Sequence, residues 1–166
     1  VHTDGTHDEG VLAGVDVLVL PHCSTDEWEA TVKSGDPVYT REEIDAIETF
    51  VRAGGGLGVL AETEQAKYGN NLAEVTGRFG VDVVSCTVQD PVAHFQGVAT
   101  WPMLVPSPAS GSDVFAGVIS ACLYRAGALT VPDDGRVFAR TSASAVPAGA
   151  PVVVGVQVGA GRGLGV

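Results

Sequence analysis

The densest run of chemistry-bearing residues is Glu62-Thr63-Glu64-Gln65-Ala66-Lys67-Tyr68-Gly69-Asn70-Asn71. Two carboxylates two positions apart on a turn can converge on one cation or act as an acid–base pair. The more economical alternative has one carboxylate capping the following helix or pairing with Lys67, the other being solvated. It is favoured because few further ligands can be identified. His22-Cys23 offers different chemistry, since a thiol beside an imidazole can be activated as a thiolate. Adjacent residues on an extended loop tend to point apart, however, so a packed or partly exposed thiol is the simpler reading. Asp90 and His94 could complete a polar pocket with Glu62 and Asn70, or could serve only their own loop. No residue is assigned a catalytic role, and Glu62, Cys23 and His94 are the candidates. The expected ligand-binding set is His22, Cys23, Glu62, Glu64, Gln65, Tyr68, Asn70, Asn71, Asp90 and His94.

Other groups carry less. His2, Asp4, His7, Asp8 and Glu9 have metal-ligating side chains but no fixed spacing such as H-E-x-x-H. Neither a metal nor a cofactor is expected. Arg125 and Arg162 could hold an anion or simply pair with the acidic surplus. Gly161-Arg162-Gly163 is not a dinucleotide fingerprint, because it lacks the strand–helix context.

The elements that must position these residues follow from periodicity and punctuation. Val15-Asp16-Val17-Leu18-Val19-Leu20, ended by Pro21, reads as a buried parallel strand whose carboxyl end carries His22-Cys23. Thr40-Arg41-Glu42-Glu43 is a capping box. Ile44, Ile47, Phe50 and Val51 then recur at helical spacing, which predicts an amphipathic helix from about Arg41 to Ala53, stopped by Gly54 to Gly56. Leu57 to Ala61 is the next strand. Asn70 or Asn71 can cap a second helix with Leu72, Val75 and Phe79 on its buried face and Gly80 beyond its end. Val81 to Cys86 is a third strand.

This βαβαβ order predicts a three-layer α/β sandwich with a mainly parallel, flavodoxin-like and Rossmann-like sheet. Ligands would then bind beyond the carboxyl ends of the strands, where Glu62 to Asn71 lie. Pro91 to Ser112 reads as a long loop, and Ala116 to Leu129 could supply a strand pair. Arg136 to Arg140 and Val152 to Val158 predict an antiparallel C-terminal extension, followed by a turn over Gly159 to Gly163. Leu164-Gly165-Val166 looks like the start of a further strand.

Composition bounds the function. The chain has 166 residues, 45% of them apolar and 17% charged, which suits one globular domain over 1–166. Val1 is not an initiator Met, and the chain is expected to be a fragment of a larger polypeptide. Apolar runs are about 5 to 8 residues, far below the ~20 that span a bilayer. The net charge is −11 and the nine basic residues are scattered singly. That disfavours nucleic acid and anionic membrane as partners. Cys23, Cys86 and Cys122 are odd in number and far apart, fitting a reducing, cytoplasmic setting. Cys86 and Cys122 stand in apolar contexts and are expected to be buried.

A strand ending in a Pro-led loop, a capped helix and then Ala53-Gly54-Gly55-Gly56-Leu57-Gly58-Val59-Leu60-Ala61-Glu62-Thr63-Glu64-Gln65 resembles the class I glutamine amidotransferase-like superfamily. The resemblance covers roughly Gly14 to Asp90. Its non-catalytic, trehalose-utilisation-type and related uncharacterised bacterial branches are the nearest in character. Tyr124-Arg125-Ala126-Gly127, Ala139-Arg140-Thr141, Ala150-Pro151-Val152 and Gly161-Arg162-Gly163 follow their tail. Catalytic members place a nucleophilic Cys in a G-x-C-x-G-x-Q turn. Here Gln65 matches, but the Cys position falls on Ala61 or Glu62, the oxyanion loop on Pro21-His22-Cys23, and the C-terminal half offers no His-x-Glu partner, having no His beyond His94. The resemblance therefore implies a degenerate, pseudoenzyme-like domain that binds a small molecule or a protein and lacks glutaminase activity. It could also form homo-oligomers. The alternative is a hydrolase-type enzyme reusing the strand-end pocket through Glu62, Cys23 or His94.

Overall fold

The computed structural model describes residues 6–21, 38–61, 71–107 and 114–165. Helix α1 (Glu9–Leu12) leads into β1 (Val17–Leu20), α2 (Arg41–Arg52), β2 (Gly56–Val59) and α3 (Leu72–Gly77). Six strands follow: β3 (Val83–Val84), β4 (Val105–Pro106), β5 (Ala128–Leu129), β6 (Arg136–Arg140), β7 (Pro151–Val158) and β8 (Gly161–Gly165).

Local chemistry sets the first half. The Thr40 hydroxyl accepts the Glu43 N–H at 3.2 Å, and Glu43 Oε2 accepts the Thr40 N–H at 2.9 Å, so the capping box is complete. At the other end of α2 the Gly55 N–H reaches the Phe50 carbonyl and the Gly54 N–H the Val51 carbonyl, both at 3.0 Å. Gly54 has a φ of +123°, which a side chain would oppose, and the helix stops there. Ile44, Ile47 and Val51 of α2, Leu12 of α1, and Leu72 and Val75 of α3 join Leu20, Leu57 and Val59 in one apolar cluster. The three helices thus cover one face of β1 and β2.

β1 and β2 are parallel neighbours in the register Val17↔Gly56 to Leu20↔Val59, as the capped helix expected between them leads one to predict. The wider expectation fails. The main sheet has six strands among the described residues, in the order β1-β2-β8-β7-β6-β4. Only β1–β2 and β2–β8 are parallel, while β8–β7, β7–β6 and β6–β4 are antiparallel. This is a mixed, mostly antiparallel β-rich fold, not a three-layer flavodoxin-like or Rossmann-like sandwich with a mainly parallel sheet. Val81 to Cys86 does not supply the third parallel strand. Its β3 pairs antiparallel with β5 in a separate two-stranded sheet. The physical reason lies in its burial: Val81 is buried, Asp82 exposed, Val83 half-buried and Val84 exposed. A strand inside a parallel sheet would be covered on both faces, and this one is half wet.

The place beside β2 is taken by β8. Antiparallel β6 and β7 occur where the sequence places them, with an irregular register around Phe138. The two-residue turn Gly159-Ala160 then brings the chain back as β8, in the register Val158↔Gly161 to Val154↔Gly165. Only two residues separate β7 from β8, because Gly161 to Gly163 is strand and not turn. Val152, Val153 and Val154 are buried on successive positions, so β7 is covered on both faces. The Pro91–Ser112 region is not wholly loop: it contributes β4 and the bridges His94↔Pro102 and Met103↔Cys122. Ala116–Leu129 gives β5 and the Cys122 bridge in place of a strand pair. Cys122 is exposed and Cys86 half-buried, against the expectation of burial. No helix among the described residues is long and apolar enough to cross a membrane.

Gly159 gives the sharpest test of this architecture. Its φ is +54°, and a Cβ placed there would meet the Arg52 carbonyl oxygen at 2.9 Å. Both backbone preference and contact with the end of α2 oppose a side chain. We expect Gly159→Ala to lose about 1–3 kcal/mol of stability, measured by urea unfolding. Ala160→Gly, at the exposed neighbour, should change little.

Candidate functional site

Asp90 follows Gln89, which pairs with Val146 through reciprocal backbone hydrogen bonds of 3.0 and 2.7 Å. The Asp90 side chain is fully buried, at 0% exposure. Its Oδ1 accepts the Val92 N–H at 2.9 Å and the Ala93 N–H at 2.8 Å, forming an Asx turn. Oδ1 also accepts the Ser144 hydroxyl at 2.8 Å, and Oδ2 accepts the Ser142 hydroxyl at 2.5 Å. A carboxylate offers about two acceptor sites per oxygen, and here three donors meet Oδ1 and one meets Oδ2.

The surrounding loop is built to deliver those hydroxyls. Thr141 opens the β6–β7 connection. Its N–H donates to the Ala150 carbonyl at 2.9 Å, its hydroxyl donates to the Pro147 carbonyl at 2.8 Å, and that hydroxyl accepts the Ala150 N–H at 2.8 Å. Ser142 Oγ accepts the Ser144 N–H at 3.1 Å, and the two hydroxyl oxygens stand 2.8 Å apart. The Val146–Pro147 peptide is cis. Val88, Ala139, Ala145, Val152 and Val153 form an apolar cluster with residues of the same segments. Burial pushes the Asp90 carboxyl up from its ordinary value of 3.8. The hydrogen bonds from Ser142, Ala93, Val92 and Ser144 outweigh that and hold it well below the usual carboxylate range.

His94 lies one turn of chain away. Its Nδ1 is 2.8 Å from the Asp90 backbone carbonyl. A carbonyl only accepts, so Nδ1 carries the proton. The hydrogen bonds of His94 among the described residues go to this backbone, with no hydroxyl or thiol partner as a nucleophile–base pair requires. Asn71 is used elsewhere. Its Oδ1 accepts the Tyr39 N–H at 2.9 Å and its Nδ2 donates to the Tyr39 carbonyl at 2.8 Å. It precedes α3 but makes no side-chain cap there, tying the entry of α2 to that of α3 instead. The structure thus joins Asp90 with His94, and no hydrogen bond links either to Asn71. His22, Cys23, Glu62, Glu64, Gln65, Tyr68 and Asn70 lie outside the described residues.

A second buried carboxylate escaped functional notice in the sequence. Glu43 Oε1 accepts the His7 N–H at 3.0 Å and faces His7 Nδ1 at 3.4 Å. Burial raises its pKa, but the hydrogen bonds from the Thr40 and His7 N–H groups and from the Thr40 hydroxyl prevail and lower it. Asp8 caps α1 through the Val11 N–H at 2.9 Å. Among the described residues no group of three or more His, Cys, Asp or Glu side chains could hold a metal ion. The partners Ser142 and Ser144 were also missed. They lie more than fifty residues from Asp90, and only Ser-x-Ser after a strand marks them in the sequence.

No protein-family model matches the chain, and no curated protein matches it. Solved structures do. The mmIFT52 N-terminal domain matches with a TM-score of 0.75 at 15% identity, over 99% of this chain and 70% of that one. Cytoplasmic Protein STM1381 from Salmonella typhimurium LT2 matches with a TM-score of 0.63 at 16% identity, over 97% and 63%. A beta-galactosidase from Bacillus circulans sp. alkalophilus matches with a TM-score of 0.52 at 15% identity, over 91% of this chain and 20% of that one. The likeness is one of fold. None of these three is named as an amidotransferase, so the resemblance read in the sequence gains no support from them. The chain spans less than two thirds of the second structure and a fifth of the third.

The depressed carboxylates set an acid limit on stability. A folded-state pKa below the unfolded one adds stability that is fully present above the unfolded value. It is lost as pH falls through the folded value. Urea midpoints should therefore hold above about pH 5 and fall progressively below about pH 4. In Asp90→Asn, already weaker at neutral pH, that acid-side fall should be shallower. Ser142→Ala should cost about 1–3 kcal/mol at pH 7, as expected for a lost hydrogen bond to a charged group.

Proposed function

We propose that this chain is a non-catalytic module whose partner is another protein, working as one part of a larger polypeptide. The observation that supports the reading is the enclosure of Asp90. The carboxylate that sequence reasoning offered to a pocket is buried and accepts from Val92, Ala93, Ser142 and Ser144. A group meant for a ligand keeps an exposed edge, and this one is fully buried with a protein donor on each oxygen. His94 holds its own loop through Nδ1, and no hydroxyl or thiol is hydrogen-bonded to its ring among the described residues. The use of a similar fold as a fifth of a longer beta-galactosidase chain fits a role as one module among several. A reducing, cytoplasmic setting fits the widely spaced cysteines.

The test is a thermal-shift screen of sugars, nucleotides, amino acids and divalent metals on wild type and Asp90→Asn, with an activated-ester assay alongside. We expect Asp90→Asn to melt lower with no ligand producing a shift in either protein, and no turnover. A ligand that stabilises wild type and is lost in Asp90→Asn would overturn the reading. So would ester hydrolysis abolished by Cys23→Ala, Glu62→Ala or His94→Ala, which would establish the hydrolase alternative.

A further inference from the structure

β1 stands at the end of the main sheet among the described strands. On its inner side the Gly56 N–H bonds to the Asp16 carbonyl and the Leu60 N–H to the Leu20 carbonyl, each at 2.9 Å. Backbone groups alternate along a parallel strand, so Leu18 also faces β2, while Val17 and Val19 turn their N–H and C=O groups outward. Those outward groups have no hydrogen-bond partner among the described residues. The Val17 and Val19 side chains are exposed to 62% and 55%. They lie on the face opposite the helices, beside Gly56 and Gly58, whose missing side chains leave the strip flat. Soluble proteins guard such edges with Pro, Lys or bulges. Val17-Leu18-Val19-Leu20 has none of these.

We propose that β1 is a strand-addition site for an extended segment of a partner protein, one that alternates β-branched residues and ends in Lys or Arg. This rests on the reading of the chain as a protein-interaction module and names the surface. The backbone of Val17 and Val19 supplies two donors and two acceptors, and their side chains meet every second residue of the incoming strand. Charge selects the occupant. The amino end of β1 borders a groove of about 540 Å³ on the helix side, lined by Glu9, Leu12, Val15, Asp16, Phe50 and Gly55, which brings two exposed carboxylates to that end of the strand. A second copy of this chain would bring its own charge of −11 and the same carboxylates to the edge. A basic-ended strand meets the opposite sign.

The probe is the fluorescent peptide Lys-Val-Thr-Val-Thr-Val-Lys, read by anisotropy at low salt. We expect saturable binding, weakened at least about tenfold by exchanging both Lys for Glu, and to a similar extent by N-methylating the central Val. Val19→Pro should weaken the Lys peptide comparably. At this position proline removes only an outward N–H and leaves the β1–β2 ladder intact. Should Val19→Pro fail to fold, the N-methylated peptide still decides, because it leaves the protein untouched. No binding of the Lys peptide, or equal binding of its N-methylated form, overturns the proposal. So does a dimer in sedimentation that Val17→Lys dissolves, which would give the edge to a second copy. None of these results touches the interaction-module reading, which falls only to the ligand and turnover outcomes centred on Asp90 and the strand-end residues.

Discussion

A turn of two residues, Gly159-Ala160, leaves β8 no choice but to run back antiparallel along β7. β8 also borders β2 in parallel. One short strand therefore joins two kinds of sheet: a parallel half covered by α1, α2 and α3, and an antiparallel half built from β7, β6 and β4. The turn can sit where it does because Gly159 has no side chain. Its Cα region abuts the Arg52 carbonyl at the end of α2, so the same residue sets the hairpin and seats the helix on the sheet. The glycines of β2 relax packing on the opposite face, where Val17 and Val19 lean over Gly56 and Gly58 without a second row of side chains.

What could be read from the sequence was local. The capping box at Thr40 and Glu43, the stop at Gly54, the amphipathic spacing of Ile44, Ile47 and Val51, and the parallel union of β1 with β2 all depend on neighbours or on one crossover. The misreadings were of long range. Val81 to Cys86 has the composition of a parallel strand, yet nothing in those residues says that the last strand of the chain will occupy the place beside β2. A periodic pattern gives a strand's faces, and its neighbours are decided by distant competition. Asn71 shows the same limit at the scale of one side chain. Its type and position suit a helix cap, and a better bidentate partner, the backbone of Tyr39, took it.

Of the candidate site, the described residues are Asn71, Asp90 and His94. Asp90 and His94 were offered to a pocket with Glu62 and Asn70, which lie outside the described residues, and a bond from His94 Nδ1 to the Asp90 carbonyl ties the first two within their loop. Their chemistry depended on Ser142 and Ser144, supplied by a turn that the sequence does not tie to Asp90 in any visible way. Once those hydroxyls arrive, the low pKa of Asp90 has a structural meaning. A buried carboxylate with four donors is a fixed anchor for two loops, since protonating it would strand donors as well as remove charge. Perturbed titration marks catalytic groups when the perturbing partners leave the reacting atom accessible. Here they enclose it.

That enclosure shifts the search for binding capacity from side chains to backbone. In the described part of the molecule the buried carboxylates Asp90 and Glu43 are each satisfied from within. The open valences at β1 are instead the peptide groups of Val17 and Val19. Peptide groups recognise any extended chain, so they bring affinity without selectivity, and an exposed apolar edge of this kind invites self-pairing. Net charge counters that tendency at no structural cost: two copies at −11 repel at the range where edges would first meet, and a basic strand is drawn in. The low charge density of Val17 to Leu20 and the acidity of the surrounding surface then act as one device. The edge stays sticky enough to pair, and the field around it decides with what.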